Sequence, residues 1–226
     1  MGDQRKEIKD AILQALAELA DDPFLKHGFR RNARSLDFKR KLDRTTQKIT
    51  IEFQNGPRDN PNAAAVIHPW LGVNVLDINA LAVEMTGNDA QSVPPNSWTL
   101  NQPIEFTSPK GIGARWFIYQ RDSVSVAINN FISFCDTWVF PFLDEYRDAN
   151  DVVRMYRDGD TKVLSDLTHA LRVIASMILV GDFAGAQQAL SKHFGRPGPR
   201  RRLACVFDFV EKRSELARTH NDLITG

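Results

Sequence analysis

Three groups of side chains carry most of the chemistry that can be read from this chain. The first is a basic stretch, residues 26–44, where Lys26, Arg30, Arg31, Arg34, Lys39, Arg40, Lys41 and Arg44 stand against only Asp37 and Asp43, with Phe29 and Phe38 interleaved. Clustered guanidinium and ammonium groups suit phosphates or the acidic surface of a partner. The same residues on an edge hairpin also stay solvated and deter strand-to-strand aggregation. Because the net charge is only +1, the solvated reading takes precedence. The second group is Glu52 with Gln54, which share a face if they lie on a strand. With Asp37 or Asp43, Glu52 could hold Mg²⁺ for phosphodiester hydrolysis. Gln54 occupies the place of the water-orienting lysine such a site uses, and no second ligand is fixed. The third is His68 with Trp70, beside Asn74. It suits a general base or a ligand platform, or equally a histidine and tryptophan packed on a sheet.

Other chemistries find no support. The histidines, His27, His68, His169, His193 and His220, are scattered without zinc-ligand spacing. No G-x-S-x-G elbow is present, and neither Cys135 nor Cys205 sits in a nucleophile context. Residues 109–115 (PKGIGAR) lack the endings of a phosphate loop or a dinucleotide fingerprint. We therefore expect no catalytic residues, no metal and no cofactor. The Arg200–Arg202 run reads as a solvated loop before a helix, with phosphate contact as its other use.

The elements that must position these residues follow from periodicity. Ile8, Ala11, Ile12, Ala15, Leu16 and Leu19 predict an amphipathic helix over 4–20, ended by Asp21-Asp22-Pro23. Phe24, Leu25 and Phe29 make an apolar knot around a hinge at Gly28. Leu36, Phe38 and Leu42 then share a strand face that Arg40 interrupts, and Thr45-Thr46 reads as the turn. Ile49, Ile51 and Phe53 alternate with Thr50, Glu52 and Gln54, a half-buried strand. Residues 47–76 predict a long hairpin, the organising element of the chain. Pro69 argues that its second strand lies at an edge or carries a bulge. A short helix stopped by Gly87 follows, then a Pro/Gly/Asn-rich loop over 88–113 that includes Pro94, Pro95, Pro103, Pro109, Gly111 and Gly113 and one short strand. Another strand is expected at Ala114–Gln120. A long apolar helix follows, from Val124 to Leu143, with Pro141 inside it. The final third is helical. The fold class is thus α+β: an N-terminal helix, an antiparallel sheet of four or five strands covered by a long helix, and an all-helical C-terminal extension. The domains expected are 1–145 and 146–226.

Composition agrees with a globular chain, 42% hydrophobic and 25% charged in 226 residues. Both cysteines are flanked by apolar residues and read as buried thiols of a reducing compartment. The first ten residues lack a signal-peptide core, and the longest apolar run, 173–180, is too short to span a membrane. The expectation is a cytoplasmic protein without membrane contact.

The order of helix, Gly28-Phe29-Arg30-Arg31, basic strand, and a strand ending Phe53-Gln54, followed by a strand with Leu71-Gly72-Val73, resembles a family of small bacterial α+β domains of unknown function. That resemblance covers roughly the first half. It implies a bacterial, cytosolic, non-enzymatic protein of immunity or accessory type. The expected function is accordingly a protein-binding domain that uses a sheet edge or the 88–113 loop. Its binding residues are drawn from Arg30, Arg31, Arg40, Glu52, Gln54, His68 and Trp70. The alternatives are a metal-dependent nuclease acting through Glu52, and a nucleic-acid-binding module built on the basic 26–48 stretch.

Overall fold

The computed structural model describes residues 2–225 apart from Pro95, Gly111 and Ser165, with side chains over 6–219. Pro95 and Gly111, both counted in the 88–113 loop, lie outside the described residues. The amphipathic opening segment forms α1 (Gly2–Ala15), which passes through a wide π turn (Leu16–Ala20) into α2 (Asp21–Lys26). The helix therefore does not end at Asp21-Asp22-Pro23. Pro23 lacks an N–H, and the π turn just upstream takes up the irregularity. Gly28, at φ +79°, then turns the chain.

Strand β1 (Arg30–Arg31) is two residues long, and β2 (Asp37–Leu42) and β3 (Thr45–Asn55) form a hairpin turned at Asp43-Arg44. Thr45 and Thr46 open β3 rather than make the turn. Asp43 adopts φ +43° there, a conformation that aspartate tolerates better than most residues. Strand β4 (Ala65–Val75) completes the predicted long ribbon, and a bond from the Gly56 N–H to the Ala64 carbonyl closes its turn. Then come α3 (Leu76–Met85), β5 (Leu100–Pro103) and β6 (Trp116–Ile118). The sheet is antiparallel in the order β1-β2-β3-β4-β5, with β6 also paired to β4. β4 is therefore central, not an edge. Pro69 falls outside the Ala65–Ile67 segment that pairs with β6, so its missing N–H takes nothing from that ladder.

The apolar run after β6 forms α4 (Val124–Phe134), a second π turn (Cys135–Val139) and α5 (Phe140–Asp144). Pro141 sits in the first turn of α5, where no intrahelical donor is needed. This 24-residue helical stretch, Arg121–Asp144, is long and apolar enough to pass for a membrane span, yet half of the window is buried. The buried half includes Ile128, Phe131, Cys135, Val139 and Leu143. The helix belongs to a phenylalanine core: Phe24 lies 4.2 Å from Phe38, 5.0 Å from Phe140 and 5.5 Å from Phe131, and Phe29 lies 5.6 Å from Phe140.

The rest of the chain is α6 (Ala149–Arg157), α7 (Leu167–Leu179), α8 (Phe183–Phe194), α9 (Pro197–Arg202) and α10 (Ala204–Thr225). Three of these start on an aspartate that accepts a backbone N–H three residues on: Asp148 from Asp151, Asp166 from His169 and Asp182 from Gly185. Such caps satisfy donors the helix leaves open. A Cβ at Gly185 would meet the capping Asp182 carboxylate and push that cap aside. Helix α7 is buried almost all round, the pattern of a core helix. The 197–202 segment, expected as a loop, is a short helix, because Pro197 and Pro199 preset the backbone angle of its first turn.

The fold is α+β, and its contacts form two units: 1–73 with 101–146, and 74–100 with 147–226. The second unit takes in the 74–100 segment, placed with the first domain by the sequence reading, because α3 packs on α7. Cys135 is buried, but Cys205 is exposed, on the outward side of α10 rather than in a core.

Candidate functional site

The basic stretch divides between the two faces of the sheet. Arg31 and Arg40 point inward. The Arg31 guanidinium holds Asp21 through Nε and Nη2, both at 2.9 Å, and donates from Nη1 to the carbonyls of Ala33 and Ser35. This fork-to-fork pairing is the strong geometry for arginine and carboxylate. It clips α2 to the loop after β1. Arg40 donates to Gln47 Oε1 through Nε and Nη2 (2.9 and 2.6 Å) and to the His27 carbonyl through Nη1 (3.0 Å), and it pairs with Asp144 at 2.8 Å. Its guanidinium also lies 4.7 Å over the Phe29 ring. Gln47 passes the connection on, donating to the carbonyls of Leu143 (2.7 Å) and Tyr146 (2.9 Å). Arg40 and Gln47 are direct cross-strand partners. The network therefore joins the hairpin, the Gly28 turn and the end of α5 through polar bonds inside an apolar core, where leaving any of them unmade is costly.

The outward face differs. Arg30 is the cross-strand partner of Lys39, and Lys39 is the partner of Lys48. Three cations thus stand in register across β1, β2 and β3. Arg30 and Lys39 are exposed, as is Lys41 one pleat along. Among the described residues, Arg30, Lys39 and Lys41 make no ion pair. Like charges set directly opposite one another destabilise a sheet, and for Arg30 against Lys39 no ion pair among the described residues offsets that cost. Asp37, opposite Thr50, and Glu52 place carboxylates on the same face.

Glu52 and His68 are neighbours on that face, Oε2 to Nδ1 3.8 Å apart. The separation is too long for a hydrogen bond, so this is an ion pair only when the imidazole is protonated. Gln54 is exposed near the end of β3 and Trp70 is half-buried on β4. Among the described residues, no three His, Cys, Asp or Glu side chains gather to hold a metal ion. Asp37 and Asp43 do not complete such a cluster with Glu52.

The second unit holds polar groups that the sequence reading passed over. A surface groove of about 400 Å³ is lined by Arg154, Arg157, Asp158 and Asp182, but Arg157 is paired with Asp182, and Arg154 lies 3.5 Å from Asp151. His169 is buried on α7, and its Nδ1 has no hydrogen-bond partner. Burial pushes its pKa down to about 4. Asp166 opposes that shift, while Arg172 and His193 add to it. The His193 ring, held by the Tyr156 hydroxyl at 2.9 Å, is likewise lowered, by burial and then by Lys192. Neither histidine stood out in the sequence, since spacing alone does not signal burial. Compared with protein-family models, curated proteins and solved structures, the chain matches none.

Proposed function

We propose that the chain is a non-catalytic protein-binding module whose open sheet face takes the acidic surface of a protein partner. The reading rests on one observation: Arg30 and Lys39 stand directly opposite each other in a row of cations on the solvent side of the sheet, without an ion pair among the described residues. An acidic partner would relieve the repulsion within that row and turn an internal cost into binding energy. Asp37 and Glu52 on the same face favour a protein of mixed charge over a nucleic acid, whose phosphates they would repel. The inward withdrawal of Arg31 and Arg40 also leaves the outer face less basic than the sequence suggests. An immunity-type or regulatory accessory role in a bacterial cytosol fits the resemblance of the first half.

The test begins with a photo-crosslinking residue at position 41, and at Arg121 for comparison, to capture the partner by mass spectrometry. The purified partner is then titrated with wild type and with Arg30→Glu/Lys39→Glu. Charge reversal should weaken binding at least about tenfold, an effect that shrinks as salt is raised. Equal crosslinking from both positions, or an unchanged affinity, would overturn the reading. So would a metal-dependent hydrolysis that disappears in Glu52→Ala.

A further inference from the structure

From the α9 turn we infer a second interaction surface, in the second unit: a contact for the phosphodiester backbone of a nucleic-acid duplex. Between Lys192 and Arg202 the chain carries Lys192, Arg196, Arg200, Arg201 and Arg202 with no carboxylate. The four arginines are exposed, and among the described residues none has a carboxylate within ion-pair distance. Elsewhere several arginines are paired: Arg31 with Asp21, Arg40 with Asp144, Arg115 with Asp59, Arg157 with Asp182 and Arg213 with Glu84. Of the four exposed arginines, Arg202 acts on Asp89 through space. Its carboxyl lies below the ordinary range chiefly through hydrogen bonds from Ser92 and Gln91, with Arg202 a smaller contributor.

The turn is held so that these groups fan outward. Pro197 and Pro199 fix its start, the Arg200 N–H bonds the Arg196 carbonyl at 2.9 Å, and Leu203 anchors it in the core beneath. Favourable interaction with the C-terminal helix dipole accounts for part of the preference for Arg200–Arg202. It does not account for Arg196, which stands at the opposite end of α9, where a cation is unfavourable.

The chemistry selects the partner. Guanidinium forks bind phosphate oxygens in pairs, which ammonium groups do not. No large apolar side chain between Val180 and Glu215 is among the exposed ones, so the turn has no wedge for a lipid surface. The adjacent ring, Phe207, is half-buried and covered by Arg200 at 4.7 Å. It therefore offers no free platform on which to stack unpaired bases. What remains is backbone contact with a duplex, independent of its sequence.

The test is fluorescence anisotropy of a short mixed-sequence DNA duplex, titrated with the full chain at several salt concentrations between about 50 and 200 mM. Wild type should bind, and Arg200→Ser/Arg201→Ser/Arg202→Ser should weaken binding at least about tenfold and flatten the salt slope by about two to three. Arg200→Lys/Arg201→Lys/Arg202→Lys keeps the charge and the fold and should lose severalfold, which tests fork geometry even if the serine variant folds poorly. Arg30→Glu/Lys39→Glu should bind duplex like wild type, which separates this surface from the sheet face. The inference fails if wild type does not bind duplex at about 50 mM salt, or if the serine and lysine variants bind like wild type. It also fails if the sheet variant loses as much, or if phosphatidylserine vesicles, and not duplex, show the α9-dependent binding.

Discussion

Arg31 and Arg40 lie within two residues of Arg30 and Lys39, on the same two strands, and meet opposite fates. The first pair is enclosed, each guanidinium filled by carboxylate, amide or carbonyl oxygens. The second pair faces solvent across the sheet and, among the described residues, makes no ion pair. Alternation along a strand separates them, because successive side chains leave opposite faces. Identical chemistry therefore serves as internal bracing on one side and as a charged surface on the other.

The contrast is sharpest for Arg40. Replacing it with Met should leave Gln47 Oε1 and the His27 carbonyl without their donor and cost about 3 kcal/mol. Asp144 adds little to that loss because it is more than half exposed. Urea unfolding should show a lower midpoint with an unchanged slope. A loss below about 0.5 kcal/mol would put Arg40 with the surface cations.

His169 tests the complementary rule, that a buried group lacking a full set of partners gives up its charge. Its folded pKa is lowered from 6.5 to about 4. The unfolded chain takes up the proton below pH 6.5, while the folded chain resists until about pH 4. Stability is then fully present above pH 6.5 and falls as pH drops between those values, by on the order of 2–3 kcal/mol. His169→Leu should remove that portion of the acid sensitivity, as read from denaturant midpoints at pH 7 and pH 5. A parallel pH dependence in both proteins would contradict the assignment.

Gly28→Ala should cost about 1–2 kcal/mol. The position has φ +79°, and a Cβ would sit 3.3 Å from Arg40 Cδ, so the change strains the turn and nudges the brace at once. Thermal melting would register it. The smallest effect expected is of the opposite sign. Lys39→Glu replaces two cross-strand repulsions with attractions and should stabilise the fold by about 0.5 kcal/mol, while abolishing the binding proposed for that face. A stabilised variant that still binds the partner would break the link between the row of cations and function.

The strands of the ribbon were legible because alternation is local: Ile49 and Ile51 against Thr50 and Glu52 needed nothing beyond the pleat. Arg40 was also visible, as a charge on an apolar face, although its role was not. Recognising the brace needed Gln47 opposite it, and that pairing depends on where the hairpin turns. The sequence reading placed the turn at Thr45-Thr46 instead of Asp43-Arg44. Of the two readings of Pro69, the edge position fails for a related reason, since a proline reports a missing donor and not the number of strands flanking it. The Asp148, Asp166 and Asp182 caps carry an explicit local signal. Helix α6, which Asp148 opens, falls in the stretch expected to be all-helical, although its apolar residues, Val152, Val153 and Met155, are few. Burial of His169 and grouping of 74–100 with the later helices are set by packing between distant segments, which periodicity does not report.

The two π turns have a consequence for how this chain tolerates changes in length. Each holds one more residue per turn than its surroundings, and each lies a few positions before a phenylalanine of the central cluster: Leu16–Ala20 before Phe24, and Cys135–Val139 before Phe140. Removing a single residue from either would close it to an ordinary α turn and leave the helix beyond in phase, whereas removing one elsewhere along the same helices would turn everything beyond it by about 100°. Only the second kind of loss would swing Phe24 or Phe140 away from its ring partners, so the two wide turns are where these helices can give up a residue.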